Sequence, residues 1–261
     1  MGSPIDRIDG FALDLDGVVW LAGEPIPGAP EAVGRLRERA PVVFLTNDPR
    51  STREQYLEHL RAVGVEAELD EMLTSSAAAA EIVARKAPGA RVYVVGSDAL
   101  GRELAAAGLE VTGRGGPGVD FVVVGGHSGF DYAELAGGMA AVRAGAELWA
   151  TNRDPVYPTA TGLLPGTGAV VAAVETASGR AARVAGKPER PMFEAARRRL
   201  GAERPVIVGD SLDSDIAGGA GAGFATVLVL SGRASAADAD AAPVRPDVVA
   251  DDLPAFVAGL D

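Results

Sequence analysis

Residues 11–18 form an apolar run that leads directly into two aspartates and a glycine: Phe11-Ala12-Leu13-Asp14-Leu15-Asp16-Gly17-Val18. The apolar part is typical of a buried strand, and the glycine permits a sharp turn after it. Residues two apart in an extended chain point to the same side, so the carboxylates of Asp14 and Asp16 can face one site. Their repulsion favours a bound cation or a shared proton, and Mg²⁺ prefers such oxygen ligands together with a phosphate. The same pattern also occurs where aspartate simply caps a turn, so the other motifs must decide.

Outside this stretch, apolar runs of strand length recur along the chain, at 42–45, 92–95, 121–124, 148–150, 206–208 and 226–230. Helix-like stretches lie between most of them, at 29–39, 53–63, 77–86, 132–143 and 191–200. This alternation predicts right-handed βαβ units and an α/β fold with a mostly parallel sheet.

The distribution of polar strand ends predicts two domains rather than one sheet of seven strands. Acid-bearing or polar strand ends lie near residues 14, 46 and 210, whereas the middle of the chain carries few of them. We therefore predict a catalytic core formed by 1–75 and 183–261, with a second α/β unit inserted at 76–182. The Gly-rich segment 113–118 is predicted to be a loop of the insert. Segment 231–246 is predicted to be a surface excursion before a last helix at 253–260.

Composition excludes several classes of function. The 261 residues include 48% hydrophobic residues, enough for a sizeable core, and carry a formal charge of −12, which disfavours nucleic acid and anionic membrane surfaces as partners. The absence of cysteine excludes disulfides, thiol nucleophiles and cysteine metal sites, and two histidines are too few for a three-histidine site. Neither a signal peptide nor a membrane-spanning run is recognised, so a cytoplasmic location is expected.

Two further motifs offer groups that bind phosphate. Thr46-Asn47-Asp48 follows the second apolar run, where a hydroxyl, an amide and turn N–H groups can hold phosphate oxygens, or can cap a helix. The chain has 22 arginines and two lysines, and one of the lysines lies in Gly186-Lys187-Pro188. A compact positive charge there suits a site crowded with anions, although a solvated surface lysine would look the same.

A third acidic cluster follows another apolar run: Val206-Ile207-Val208-Gly209-Asp210-Ser211-Leu212-Asp213-Ser214-Asp215-Ile216. Asp210 can complete a magnesium site, and Asp215 can hold its waters or orient Lys187. Capping of a helix by Asp213 or Ser214 is compatible with that role for Asp210.

Taken in order, these motifs resemble the haloacid dehalogenase-like phosphatases, and more narrowly their subclass IIA, the NagD-like and p-nitrophenylphosphatase-like group. The segments that carry the resemblance are Asp14-Leu15-Asp16-Gly17-Val18, Thr46-Asn47, Gly186-Lys187-Pro188 and Gly209-Asp210 with Asp215. It extends through Val123-Val124-Gly125, Ala150-Thr151-Asn152-Arg153-Asp154, Gly162-Leu163-Leu164-Pro165-Gly166-Thr167-Gly168 and Val229-Leu230-Ser231-Gly232. The resemblance implies a Rossmann-like, doubly wound parallel-sheet core with an inserted α/β cap domain.

By this resemblance, Asp14 is the nucleophile that forms an aspartyl-phosphate. Asp16 protonates the leaving alkoxide and then deprotonates the water that hydrolyses the intermediate. Mg²⁺ is held by the Asp14 carboxylate, the Asp16 backbone carbonyl and Asp210, with Asp215 and Ser211 in support.

The same resemblance gives the phosphate-binding groups and the partners. Thr46, the Asn47 backbone and Lys187 bind the transferring phosphoryl group. The partner is a small-molecule phosphate ester, and a homodimer is expected.

Several residues outside the core motifs are possible determinants of specificity. Asp48 stands where many relatives carry Asn, and if it faces the substrate it repels a second anionic group or binds hydroxyls. His127 is either a cap residue that touches substrate or a solvent-facing loop histidine. Asn152 and Asp154 form either a structural turn or a specificity loop. Trp20 is expected to be a packing residue.

The sequence therefore predicts a magnesium-dependent phosphomonoesterase that acts on a small metabolite such as a sugar phosphate, glycerol phosphate or phosphoglycolate. A phosphomutase or phosphotransferase has the same motifs and differs in the acceptor of the phosphoryl group. Two non-enzymatic alternatives are a receiver-like regulatory module, which would be about half this length and lack an insert, and a silent sugar-phosphate-binding protein.

Overall fold

The computed structural model describes residues 7–113, 115–159 and 162–260, with the side chains of 158 and 159 left aside. Internal contacts divide the chain into two compact units. The first, called here the core unit, contains the chain up to 46, 53–73 and everything from 187 onward. The second, the insert unit, contains 47–52 and 74–186. Every helix in the described part of the chain is too short or too polar to cross a membrane.

The core unit is built on a six-stranded sheet with the order β15-β14-β13-β1-β4-β5. Its strands are β1 (Gly10–Asp14), β4 (Val42–Thr46), β5 (Met72–Thr74), β13 (Pro205–Gly209), β14 (Ala225–Val229) and β15 (Val248–Ala250). The pairings of β1 with β4 and β13, and of β14 with β13 and β15, are all parallel. Their burial on both faces explains why β1, β4 and β13 are continuous apolar runs in the sequence. A short antiparallel hairpin, β2 (Trp20–Leu21) and β3 (Glu24–Pro25), follows β1.

The helices of the core unit are α1 (Ala29–Arg37), α2 (Arg53–Ala62), α7 (Arg190–Leu200), α8 (Gly218–Gly221), α9 (Ala236–Ala241) and α10 (Leu253–Ala258). A 3₁₀ turn (Leu69–Glu71) and a π-helical turn (Leu212–Ala217) complete them. Helix α7 packs on β1 and β4, and α1 packs on α10. The largest fully buried side chains of this unit include Leu13, Phe44 and Phe193.

The insert unit contains a second parallel sheet, of five strands in the order β12-β9-β8-β6-β7. These are β6 (Arg91–Val95), β7 (Glu110–Thr112), β8 (Phe121–Val124), β9 (Glu147–Ala150) and β12 (Arg183–Val184). Strands β10 (Val156–Thr159) and β11 (Gly162–Pro165) form a separate two-stranded antiparallel sheet. The helices α3 (Ser75–Lys86), α4 (Asp98–Ala106), α5 (Tyr132–Arg143) and α6 (Thr167–Ser178) pack in the pairs α3–α4 and α5–α6.

The α/β class and the parallel arrangement agree with the sequence analysis, and the predicted strand at 121–124 and helix at 132–143 have the same bounds in the structure. The sequence analysis missed α4 and α6 and the short edge strands. Segment 231–246 contains a helix, α9, and residue 114 of the predicted loop 113–118 lies outside the described residues.

The two units differ from the predicted domains, 1–75 with 183–261 and 76–182, at three segments. Residues 47–52, 74–75 and 183–186 have their contacts in the insert unit. For 47–52, hydrogen bonds to its backbone explain this. The carbonyl of Asn47 accepts from Ser75 Oγ and Asn152 Nδ2, both at 2.5 Å, and the carbonyl of Pro49 accepts from Ser97 Oγ at 3.0 Å.

Candidate active site

The candidate active site lies at the carboxyl ends of adjacent parallel strands of the core unit. Asp14 is the last residue of β1 and pairs in register with Leu45, so Thr46 follows one position further along β4. On the other side of β1, Leu13 pairs with Val208, so the residues after β13 lie at the same edge. This edge is where open parallel sheets bind their ligands.

Lys187 ties two of the acids together. Its side chain is 3% exposed, and its ammonium group donates to Asp14 Oδ1 at 2.5 Å and to Asp215 Oδ1 at 2.6 Å. Asp215 is fully buried on the π-helical turn, where its second oxygen accepts from the backbone N–H of Ser211 at 3.1 Å. The structure therefore brings together Asp14, Lys187 and Asp215, which are far apart in the sequence.

Asp210 completes the acidic cluster. Oxygens of Asp14, Asp210 and Asp215 all lie within 4.8 Å of one another. Asp210 Oδ2 accepts from the backbone N–H of Arg233 at 2.9 Å, and two glycines make room for this carboxylate. A Cβ at Gly17 would lie 2.4 Å from Asp210 Oδ2, and a Cβ at Gly232 would lie 2.1 Å from it, so a side chain at either position would displace this carboxylate.

The electrostatics of the cluster follow from three buried carboxylates around one lysine. Burial raises the pKa of Asp14 well above its ordinary value, and Asp215 and Asp210 act in the same direction against the attraction of Lys187. Burial, followed by the charge of Asp215, raises the pKa of Asp210 from 3.8 to about 6. Burial alone favours a neutral Lys187, but the Asp14 and Asp215 carboxylates outweigh it and raise the pKa of this amine.

These residues fit a divalent cation. With all groups ionised, the three carboxylates and the single ammonium leave an excess of two negative charges in a buried space. A hard cation such as Mg²⁺ takes carboxylate oxygens and neutralises that excess. The carboxylate of Asp16 is not part of the cluster; it is exposed and accepts from the indole N–H of Trp20 at 3.1 Å.

The remaining residues named in the sequence analysis lie in the insert unit. Asn47 Nδ2 donates to Asp154 at 3.3 Å, and the backbone N–H of Asp154 donates to Asn152 Oδ1 at 3.0 Å, so these three residues form one network. The carboxylate of Asp48 accepts two hydrogen bonds from the Arg50 guanidinium, both at 2.8 Å.

His127 has a different environment, because its Nε2 lies 2.8 Å from Glu134 Oε2 at the start of α5. The sequence did not predict the contact of Ser75 with the Asn47 carbonyl or that of Trp20 with the Asp16 carboxylate. The signal that could have predicted the contact of Trp20 is its spacing, four residues after Asp16.

Comparisons with known proteins decide the family. The model of the haloacid dehalogenase-like hydrolases matches residues 11–110, and a HAD-hydrolase-like model matches residues 184–256. The D-glycerol 3-phosphate phosphatase of Mycobacterium tuberculosis is 40% identical over 256 residues, which cover 97% of this chain and 72% of that protein. The chain belongs to the haloacid dehalogenase-like hydrolases.

Solved structures of this family agree over nearly the whole chain. The glycerol phosphate phosphatase of M. tuberculosis in complex with magnesium has a TM-score of 0.91 at 38% identity and covers 98% of this chain and 78% of that one. NagD from Escherichia coli K-12 has a TM-score of 0.86 at 35% identity and covers 95% of this chain and 97% of that one. The resemblance to the NagD-like group is thus confirmed, and this hydrolase is an enzyme of the phosphatase type.

Proposed function

We propose that this hydrolase is a magnesium-dependent phosphomonoesterase that acts on a small phosphorylated metabolite of the glycerol phosphate or sugar phosphate type, through a phosphorylated Asp14. The observation that carries the proposal is the buried cluster in which Lys187 contacts Asp14 and Asp215 beside Asp210. Phosphoryl transfer depends mainly on positioning and on neutralising charge, and this cluster has the groups for both.

The metal site is assigned to the Asp14 carboxylate, the Asp16 backbone carbonyl and Asp210, with Asp215 and Ser211 in support. When bound, Mg²⁺ supplies positive charge against the phosphoryl oxygens. The glycerol phosphate phosphatase structure in complex with magnesium supports this choice of ion.

In the first step, a carboxylate oxygen of Asp14 attacks phosphorus and forms a new P–O bond, while the bond from phosphorus to the leaving oxygen breaks. The leaving oxygen takes the proton of Asp16 and departs as an alcohol. Thr46, Asn47 and Lys187 bind the oxygens of the transferring group.

In the second step, Asp16 accepts a proton from a water molecule whose oxygen attacks the same phosphorus. The bond between phosphorus and the Asp14 oxygen breaks, and inorganic phosphate leaves. Asp14 is then a carboxylate again and Asp16 is protonated, so the cycle is closed.

Selection of the substrate is assigned to the insert unit, because segment 47–52 follows directly on Thr46 and carries Asp48, and because the Asn152–Asp154 loop bonds to the same segment. His127, which contacts Glu134 in the same unit, is included in this assignment. A homodimer and a cytoplasmic location remain part of the proposal, and the oligomer is tested by sedimentation at several protein concentrations.

The first test measures phosphate release from p-nitrophenyl phosphate, glycerol 3-phosphate and a panel of sugar phosphates, with Mg²⁺ and with EDTA. Wild type should need Mg²⁺, and Asp14→Asn should lose at least about a thousandfold in kcat, since a carboxamide is a poor nucleophile. Acid-quenched wild-type enzyme should gain the mass of one phosphoryl group on Asp14.

Asp131→Asn is the matched control, because Asp131 caps α5 in the insert unit and Asn caps a helix equally well. It should keep the wild-type rate. Phosphate release that survives in Asp14→Asn contradicts the nucleophile assignment, and isomerised sugar phosphate in place of free phosphate contradicts hydrolysis.

A further inference from the structure

The hairpin after β1 places an indole against the second aspartate of the first motif. Trp20 begins the hairpin, and its side chain is 2% exposed although the Asp16 carboxylate that it contacts is exposed. Trp20 Nε1 lies 3.1 Å from Asp16 Oδ1, and a backbone bridge pairs the same two residues. A buried donor thus holds one oxygen of a solvent-exposed carboxylate.

The indole is itself held in place on several sides. Its ring stacks on the ring of His59 with centroids 4.2 Å apart and an interplanar angle of 19°. His59 Nε2 lies 3.1 Å from the carbonyl oxygen of Gly23 in the turn of the hairpin.

The backbone of Trp20 also restricts the position of the indole. Its carbonyl accepts from Gly17 N at 2.7 Å, and the turn uses positive φ at Ala22 (53°) and Gly23 (87°), as a tight two-residue hairpin turn requires. The position of the indole N–H is therefore fixed by the hairpin and by α2 together.

We propose that Trp20 is a positioning residue for the acid–base carboxylate of Asp16, and that His59 holds the indole in the required orientation. This inference rests on the proposed role of Asp16 in proton transfer. An indole N–H only donates, so the Asp16 oxygen that it engages is kept as an acceptor. The torsion of the carboxylate, and with it the direction of its second oxygen, is then set before substrate binds. General acid–base catalysis depends on such geometry within a few tenths of an ångström.

A purely structural role predicts something different, and the chain offers a matched comparison. Trp149, the other tryptophan, is also buried and donates its indole N–H to Glu147 Oε1 at 2.9 Å, within the insert unit. Replacing either tryptophan with phenylalanine removes one indole N–H bonded to a carboxylate and keeps an aromatic ring.

The experiment compares Trp20→Phe with Trp149→Phe on two esters, p-nitrophenyl phosphate and the alkyl phosphate of the panel that wild type hydrolyses fastest. p-Nitrophenolate leaves without a proton, whereas an alkoxide needs one. We expect Trp20→Phe to lower kcat/KM, which reports the step in which the leaving group departs, by about tenfold on the alkyl phosphate and by about threefold or less on p-nitrophenyl phosphate. Trp149→Phe should change the two rates by the same small factor.

Equal losses of kcat/KM on both esters would overturn the proposal, since a general loss of structure affects both leaving groups alike whereas loss of a positioned acid affects the departure of the alkoxide. His59→Ala, which frees the indole but keeps its N–H, should show a smaller loss with the same preference for the alkyl ester. His59→Phe, which keeps the stack, should restore the wild-type ratio of the two rates. Thermal midpoints of all variants separate these effects from unfolding.

Asp16→Asn separates failure of this inference from failure of the proposed function. If Asp16→Asn keeps its rate on the alkyl phosphate, the acid–base role of Asp16 is wrong. If Asp16→Asn is inactive while Trp20→Phe behaves like Trp149→Phe, only the positioning role is wrong. If both assignments hold, adding Trp20→Phe to Asp16→Asn should cost nothing further, because the variant already lacks the proton-transferring carboxyl group that the indole orients.

Discussion

The core unit and the insert unit both contain a parallel sheet with connecting helices, but the surroundings of their acidic side chains differ. At the strand ends of the core, three buried carboxylates surround one lysine. In the described part of the insert, three acids contact lysine or arginine: Glu147 contacts Lys86 and Arg183, Glu175 contacts Arg153, and Asp48 contacts Arg50.

This difference shows that architecture alone does not make a strand end reactive. An excess of buried negative charge destabilises a fold, and pKa values shifted by such an excess are typical of functional sites. The described residues of the insert have the same class of fold and no such cluster of three carboxylates, so the cluster follows from the residues after the core strands and not from the sheet.

Removing the charge of Lys187, which contacts Asp14 and Asp215, should have the largest effect on activity. Lys187→Met leaves Asp14 and Asp215 without their common cation, and we expect kcat to fall by about a thousandfold or more. Lys86→Met is the matched control, because Lys86 is the other lysine of the chain and its side chain is 42% exposed in a pair with Glu147. Exposed pairs contribute about 0–1 kcal/mol, so its rate should stay within about twofold of wild type.

Steady-state rates together with circular dichroism check this comparison. A Lys187→Met variant that folds and keeps a tenth of the activity would contradict the role given to the cluster. A large loss of kcat in Lys86→Met would show that removing a charge from the insert unit affects activity as removing one from the core unit does, contrary to what the contacts indicate.

Removing one excess charge should have an intermediate effect on stability. The pKa of Asp210 is about 6 in the folded protein against 3.8 ordinarily, so between these values the folded state binds the proton more tightly. Stability from this group is therefore present at low pH and is lost as the pH rises through about 6. Without metal, Asp210→Asn should gain on the order of 1–3 kcal/mol at pH 7.5 and little at pH 4, because the neutral amide carries no buried charge.

Thermal unfolding of EDTA-treated protein at the two pH values measures this. Mg²⁺ should raise the midpoint of wild type more at pH 7.5 than at pH 4, since protons compete with the metal. Asp210→Asn should lose most of that metal-dependent shift. A metal-free Asp210→Asn variant that is less stable than wild type at pH 7.5 would contradict the assignment of excess charge.

Removing the carboxylate of the Asp48–Arg50 ion pair in the insert should have the smallest effect on the rate and should change substrate selectivity instead. Asp48→Asn leaves the guanidinium of Arg50, which lies 4.2 Å above the ring of Tyr157, without this carboxylate. We expect kcat on glycerol 3-phosphate to stay within about threefold of wild type. The kcat/KM for phosphoglycolate relative to glycerol 3-phosphate should rise several-fold, because Arg50 without the Asp48 carboxylate attracts a substrate carboxylate more strongly.

The ratio of kcat/KM for the two esters is the measurement. Arg153→Gln, which breaks an exposed pair with Glu175 elsewhere in the insert, serves as the control and should leave that ratio unchanged. An unchanged ratio in Asp48→Asn would mean that this pair does not select substrates.

The sequence was sufficient for the parts of the fold that have a strong local pattern. β1 and β13 are continuous apolar runs buried on both sides, and α5 has an aspartate cap at its start, so each could be located from a few residues. Helix α6 was missed because it begins Thr-Gly and carries valines and alanines around its circumference, which hides the helical period. Edge strands such as β12, with two residues, carry too little pattern to be recognised.

Asp14 and Asp210 could be named from the sequence because each lies at the end of a recognisable strand, and Lys187 because it is one of two lysines in the chain. Their pairing could not, since Lys187 contacts Asp14 across 173 positions of the chain. The contacts of segment 47–52 with the insert unit could not be predicted for the same physical reason: Ser75 and Asn152 bind its backbone, and backbone carbonyls are the same in any sequence. The bond from Trp20 to Asp16 depends on the hairpin geometry, which the residue types alone do not specify.

The boundaries of the two units have a consequence for how the enzyme is made. The chain leaves the core unit after Leu73 and re-enters it at Lys187, and Asp210 and Asp215 come later still. A ribosome that has finished the insert has therefore synthesised Asp14 but not yet Lys187, Asp210 or Asp215. Since domains fold in order as they are synthesised, a chain truncated before Lys187 lacks three of the four charged residues of the cluster, which assembles only after the residues beyond 186 have been added.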